Sequence, residues 1–300
     1  MAQQIVKAVV PAAGLGTRLL PSTKSQPKEM LPVGRKPAIQ YVVEELQAAG
    51  LRQLLIITGE RKRAIEDHLD ADPELVLALE QAGNEAVLED LAYLEGEARF
   101  FFTRQSPPKG LGHAVSLAAD FVDGDNFAVA LGDSMIVAPD SAAPLRAMMA
   151  AQEQLGAAAI IAVETVPPEE TYRRGIVDIG GAEPAPGEPM EMKDIVEKPA
   201  VETSPSTLAV AARYVFSPVI FEMLGRTLPG KGGEIQLTDA IRLLIQQGEP
   251  VYAWPLTPDQ KRYDVGNFES YFRAFIEFAL ADERYGYLIR KYIKTKAYEL

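Results

Sequence analysis

Between Val9 and Pro32, in the run VVPAAGLGTRLLPSTKSQPKEMLP, Gly14 and Gly16 are followed by Arg18 and Lys28. Residue types at this spacing suit a phosphorylated ligand. Glycines open backbone angles closed to other residues and, lacking a Cβ, let a phosphate or a flat base reach main-chain N–H groups. A guanidinium fork and a point ammonium neutralise phosphate oxygens from different sides. Two common phosphate motifs do not fit. A dinucleotide fingerprint G-x-G-x-x-G requires a third glycine where Leu19 stands, and a Walker loop requires Gly-Lys-Ser/Thr. A plain strand and turn with incidental cations is the bland alternative, and the clustering of glycines, cations and prolines weighs against it.

The flanking sequence must hold this turn still. Ile5 to Val10 is aliphatic or Ala except for Lys7 and stops at Pro11, which predicts a short buried strand. Pro37 suits a first helical turn, and Ile39, Val42, Val43 and Leu46 recur at helical spacing until Gly50 closes the helix. Leu54 to Thr58 is a second buried strand. Strand, helix, strand implies a right-handed crossover and a parallel sheet that binds ligands beyond the carboxyl ends of its strands, where the glycine turn lies.

Residues 64–94 carry Leu69, Leu75, Leu79, Val87, Leu88 and Leu91 at helical spacing, predicting one or two amphipathic helices outside the core. Arg99 to Arg104 is strand-like and leads through Gln105 and a glycine-spaced turn into a helix ending near Phe121. The Gln105 amide, with a donor and an acceptor in one plane, can read the edge of a base; an ordinary loop and cap is the alternative. Phe127 to Leu131 is another strand, and Asp133 just past its end is well placed to hold Mg²⁺, or else to serve as a turn residue. A helix over 141–154, strands over 157–163, 208–216 and 251–254, and a helix over 268–280 complete the pattern. It predicts an α/β fold with a Rossmann-like, mixed, mostly parallel sheet flanked by helices.

Composition sets limits. The 300 residues are 47% hydrophobic, enough for a sizeable core. A net charge of -12 argues against a general nucleic-acid surface, so local cations must hold any nucleotide. The chain lacks cysteine, which removes disulfides and thiolate chemistry and fits a reducing cytoplasm. No stretch approaches the ~20 apolar residues of a membrane span, and the N-terminus has no secretory pattern. His68 reads as a surface or helix-end residue.

The pattern G-x-G-T-R-x-x-P-x-T-x-x-x-P-K-x-M-L-P at Gly14 to Pro32 resembles the signature of sugar-1-phosphate nucleotidyltransferases, most of all the bacterial UTP:glucose-1-phosphate uridylyltransferases. The resemblance implies the nucleotidyltransferase fold, with residues 1–266 as one domain, nucleotide-binding to about residue 135 and sugar-binding beyond. Residues 267–300 would form a C-terminal helical segment whose aromatics suggest subunit contact in a homo-oligomer, a dimer or tetramer. It further implies that Ala12, Ala13, Gly14, Leu15, Gly16, Thr17, Arg18 and Lys28 line the nucleotide, and that Gln105 and Gly112 contact the base, with His113 a helix-end neighbour. Gly175 would lie against the sugar ring, Glu197 would accept from sugar hydroxyls and Lys198 would neutralise the sugar phosphate, with Asp133 and Asp264 on the Mg²⁺. Glu197-Lys198 taken alone would read as a surface ion pair. The stretch from Gly232 to Asp239, with Thr238 and Asp239 as first-turn residues, reads as mostly structural.

Some positions depart from the family pattern. Ser134 stands where many relatives carry a second acidic residue, Arg174 where an aromatic is usual, Phe268 where close relatives place a lysine, and Ala211-Ala212 where Val-Gly is common. The reaction implied is uridylyl transfer from UTP to glucose 1-phosphate by in-line attack on the α-phosphorus, with Arg18, Lys28, Asp133 and Lys198 as the catalytic set. Another hexose 1-phosphate, dTTP in place of UTP, or a non-catalytic UDP-sugar sensor are the neighbouring readings. A nicotinamide oxidoreductase would share the strand and turn but lacks its third glycine.

Overall fold

Aliphatic runs bounded by glycine and proline give the strands their limits. In a computed structural model describing residues 4–94 and 96–297, they are β1 (Lys7–Pro11), β2 (Pro32–Val33), β3 (Lys36–Pro37), β4 (Gln53–Thr58), β5 (Arg99–Arg104), β6 (Phe127–Ala130), β7 (Ser134–Val137), β8 (Ala159–Thr165), β9 (Gly175–Asp178), β10 (Met190–Glu191), β11 (Asp194–Glu197), β12 (Leu208–Phe216), β13 (Val251–Pro255) and β14 (Lys261–Asp264). The helices are α1 (Ala38–Ala48), α2 (Arg63–Leu69), α3 (Pro73–Gln81), α4 (Glu85–Leu91), α5 (Leu111–Ser116), α6 (Ala119–Val122), α7 (Ala143–Leu155), α8 (Val219–Arg226), α9 (Leu237–Gln246), α10 (Phe268–Ala281) and α11 (Gly286–Lys296).

The main sheet runs β10-β13-β8-β12-β6-β1-β4-β5, with β9 and β11 as a hairpin joined to β12. Four of the seven pairings along that path are parallel (β13–β8, β6–β1, β1–β4 and β4–β5), so the mixed, mostly parallel sheet expected from sequence is present. β12, antiparallel to both β6 and β8, makes it mixed. β1 lies between β4 and β6, so chain direction along the sheet reverses beside the glycine turn, where open α/β sheets form their ligand crevice.

Alternation along β1 sends Val9 to one face and Ala8 and Val10 to the other. The Val9 face packs under α5, α8 and α9, and the opposite face under α1 and α7, with Phe127, Phe216, Leu46 and Ile56 all fully buried. A third cluster gathers Leu19, Leu31, Val33, Ala38, Met135, Val265 and Ala274. It fastens the segment after the glycine turn to α10 and β7, and Tyr41 and Phe278 meet edge to face beside it.

Three differences from the sequence reading have local causes. Pro37 caps α1 rather than entering it. Residues 63–94 form three helices, because Asp72 caps a new one through the Leu75 amide at 2.9 Å and Gly83 (φ +64°) ends it. Their apolar positions do not all reach a core: Leu75 and Leu77 stay exposed. The third is a bulge in β12, where the register shifts between Val210 and Tyr214 and Ala212 takes φ +61°. A left-handed alanine costs about 1–2 kcal/mol, and the bulge admits Arg213 to the interior. Its guanidinium grips Glu45 of α1 with two bonds (2.8 and 2.7 Å) and donates to the Ser134 carbonyl at 2.9 Å, all buried.

No helix among the described residues is long and apolar enough to cross a membrane.

Candidate active site

The glycine turn leaves β1 at the sheet's carboxyl edge. Ala12 donates its amide to Ile57 of β4 (2.8 Å), Gly16 turns the chain at φ +67°, and the Thr23 hydroxyl closes the loop on the Gly16 carbonyl at 2.8 Å. Leu15, Thr17 and Arg18 are exposed at its mouth. Lys28 folds back so that its ammonium lies 3.8 Å from where a Cβ of Gly14 would stand, so a side chain there would crowd the cation.

Lys28 pairs with Asp133 across the turn. Burial lowers the affinity of Lys28 for its proton, but Asp133 and Glu29 together outweigh burial, and the net shift is upward. The ammonium is therefore charged at neutral pH. The next residue, Glu29, is buried against Lys62 at 2.6 Å. Burial raises the Glu29 carboxyl and lowers the Lys62 amine, each more than its partner compensates. That pair ties the Lys28 segment to the turn after β4. Sequence reasoning missed it, because neither residue falls in an apolar pattern or a phosphate motif.

The two aspartates reach the same edge from distant parts of the chain. Asp133 follows β6, and β14 brings Asp264 opposite Ser134, with the Val265 amide donating to the Asp133 carbonyl at 2.9 Å. Arg18 sits beside them, its Nη2 3.8 Å from the Cβ that Gly266 lacks. Arg262, also missed from sequence, holds the Asp264 carboxylate at 2.9 Å while Glu164 holds Arg262 at 2.6 Å. Burial would raise Asp264, but Arg262 and hydrogen bonds from Ser270 and the Gly266 amide bring it below the ordinary carboxylate value. Among the described residues no third carboxylate or imidazole joins a metal-binding group.

On the far side, Glu197 accepts from the Thr238 hydroxyl at 3.0 Å and pairs with Lys198 at 3.0 Å. Lys198 adopts φ +46°, which ends β11 and turns its side chain back to its neighbour. Gly175 lies opposite Glu197 in the β9–β11 pairing. A Cβ at Gly175 would come within 2.8 Å of the Thr238 methyl, so this glycine is required by packing. Thr238, read from sequence as part of a helix start, spends its hydroxyl on Glu197 instead of capping α9.

Gln105, 4% exposed, follows β5 and donates to the Gly110 carbonyl at 2.9 Å. Gly112 lies against β-carbon-free space filled by Ile235, and its amide donates to the Ile235 carbonyl at 2.8 Å. His68, in the last turn of α2, is half-buried against the Tyr93 hydroxyl at 3.1 Å.

The edge thus joins a glycine turn, two cations and two carboxylates contributed by separate strands. The profile of the nucleotidyl transferase family matches residues 7–279, nearly the whole chain. The chain belongs to the nucleotidyl transferase family. This nucleotidyltransferase is 44% identical over 292 residues to a UTP--glucose-1-phosphate uridylyltransferase of Staphylococcus haemolyticus, covering 97% of this chain and 98% of that protein. Among solved structures it superposes on a UTP-bound UGPase from Acinetobacter baumannii with a TM-score of 0.87, at 38% identity over 96% of this chain and 98% of the other. A UDP-glucose pyrophosphorylase complexed with UDP-glucose gives 0.82, at 37% identity over 93% and 100%.

Nucleotidyltransferases of this family usually use a divalent metal. Asp133 and Asp264 fit one: both are oxygen donors, the Asp264 carboxyl is held below the ordinary carboxylate value, and a hard cation shared with phosphates needs only one or two protein carboxylates. Three of the four departures, Ser134, Arg174 and Phe268, are placed as follows. Ser134 is buried, 3.4 Å from Arg262. Arg174 joins Glu164 at 2.8 Å, so both odd residues border one chain of charges, Asp264–Arg262–Glu164–Arg174. Phe268 packs against the third apolar cluster.

Proposed function

We propose that this nucleotidyltransferase transfers a uridylyl group from UTP to glucose 1-phosphate, giving UDP-glucose and pyrophosphate. The observation that carries the reading is the convergence of Gly14, Lys28 and Arg18 on the Asp133–Asp264 edge in a chain so similar to named uridylyltransferases. A phosphate oxygen of glucose 1-phosphate forms a bond to the α-phosphorus as the bond to the bridging α–β oxygen breaks, and that electron pair leaves with pyrophosphate. No side-chain nucleophile is needed.

The turn amides from Ala12 to Thr17 cradle the triphosphate, and Arg18 neutralises its outer oxygens. Lys28 stands beside the α-phosphate, where charge on the equatorial oxygens grows. Gln105 and Gly112 face the base. Glu197 accepts from sugar hydroxyls, the Gly175 backbone lies against the ring, and Lys198 neutralises the sugar phosphate. Asp133 and Asp264 would hold Mg²⁺, which screens the two polyanions from one another. The exposed aromatics of α10 and α11, Phe272, Phe275, Tyr287 and Tyr292, suit contact with a second copy of the chain.

A matrix of nucleoside triphosphates against hexose 1-phosphates, scored by Mg²⁺-dependent pyrophosphate release, tests the reaction. UTP with glucose 1-phosphate is expected to exceed every other pair, and chelation of the metal to abolish release. Binding of UDP-glucose without any turnover would instead identify a sensor.

Glu164→Gln checks the metal edge separately. It keeps shape but weakens the grip on Arg262, and so on Asp264. The Mg²⁺ concentration for half-maximal rate is expected to rise about 10-fold with little change in half-saturating UTP. An unchanged Mg²⁺ titration would remove Glu164 from the site.

A further inference from the structure

The amide of Gln105 is held in one orientation by two acceptors. Its Nε2 lies 2.9 Å from the Gly110 carbonyl oxygen and 2.9 Å from Nδ1 of His113. A carbonyl only accepts, so the nitrogen side of the amide must face it. With one hydrogen on Gly110, the second points at His113 Nδ1, which must then offer a lone pair, leaving the ring proton on Nε2. The neutral ring this requires agrees with its surroundings: burial, then the nearby Lys109, push the imidazole below its ordinary value. Among the described residues no buried side-chain polar atom lacks a partner. Gln105 Oε1 accepts from no described residue and so is not among the buried atoms; it is left accessible as an acceptor.

We propose that His113 is a specificity-determining positioning residue: by accepting the second hydrogen of Gln105 Nε2 it completes, with the Gly110 carbonyl, the hold on the amide so that only an acceptor faces the base. A base with a ring N3–H, uracil or thymine, donates to Oε1. Cytosine presents a bare N3 there, lone pair against lone pair. Were the amide free to rotate, its NH₂ could serve cytosine and the discrimination would shrink. The inference rests on the proposed placement of the base at Gln105 and extends it to a residue that sequence treats as a mere helix-end neighbour.

Two variants of the full chain separate this from a packing role. His113→Asn retains an acceptor near the Nδ1 position, and His113→Leu retains bulk without one. Affinities for UTP and CTP are measured by titration calorimetry, with melting curves to check folding. His113→Leu is expected to narrow the UTP-over-CTP preference by about 10-fold or more, and His113→Asn to keep it within about 3-fold of wild type. A leucine variant with the wild-type ratio overturns the inference. The tautomer can be read without any substitution, from ¹⁵N shifts of the two histidines in the wild-type protein: an Nε2–H signal for His113 is expected, and an Nδ1–H signal overturns the inference. Wild-type chain that binds neither nucleotide defeats the uridylyltransferase reading itself and takes this inference with it.

Discussion

Lys28→Ala is expected to lower kcat by about 10²–10³-fold while the protein stays folded. The ammonium is charged at neutral pH because Asp133 and Glu29 outweigh the burial that would neutralise it. It is also fixed, packed over Gly14 and paired across the turn, so its charge needs no reorganisation when the α-phosphate becomes more negative. Preorganised charge of this kind is worth about 10²–10³ in rate where single donors have been removed. On the proposed placement the triphosphate keeps the turn amides and Arg18, so half-saturating UTP should move much less than kcat. The anchor of the segment is elsewhere, in the buried Glu29–Lys62 pair, which is why loss of Lys28 should spare the fold. Steady-state kinetics with a melting curve checks this, and near-normal turnover would end the assignment of Lys28.

Arg213→Ala is expected to cost about 3–5 kcal/mol of stability, the usual penalty for leaving a buried charge without its partner. Arg213 is 0% exposed and Glu45 2%. Removing the guanidinium strands the carboxylate inside the α1 face and takes the donor from the Ser134 carbonyl. In equilibrium denaturant unfolding the midpoint should fall with the slope unchanged. The double change Arg213→Met with Glu45→Leu should recover most of the loss, because two apolar side chains need no pairing. A loss under about 1 kcal/mol for the single change would mean that water or another group compensates Glu45. Because the Ser134 carbonyl adjoins Asp133, the folded single variant should also show a raised Mg²⁺ requirement.

The order of strands and helices around the glycine turn was legible because it depends on short-range regularities: nearly unbroken aliphatic runs in β1 and β4, a period near 3.6 in α1, and proline or glycine at the ends. Limits were less legible where two signals compete. In residues 64–94 the leucine spacing suggested one or two helices, yet an Asp-Pro cap and Gly83 divide the stretch further, and some of the leucines face solvent. The bulge at Ala212 was not read: an alanine itself gives no sign of a left-handed backbone, although the glycine common at this position in the family pattern does.

From sequence alone came the α/β class, the phosphate-suited turn with Arg18 and Lys28, and the carboxylate past β6, because each is written within a few neighbouring residues. What only the tertiary structure decided is who faces whom. Arg213 meets Glu45 across 168 positions, Arg262 meets Glu164 across 98, and Thr238 meets Glu197 across 41. Contacts at such separations follow from strand register and the direction of a bulge, which sum many weak packing terms over the whole sheet and leave no local mark.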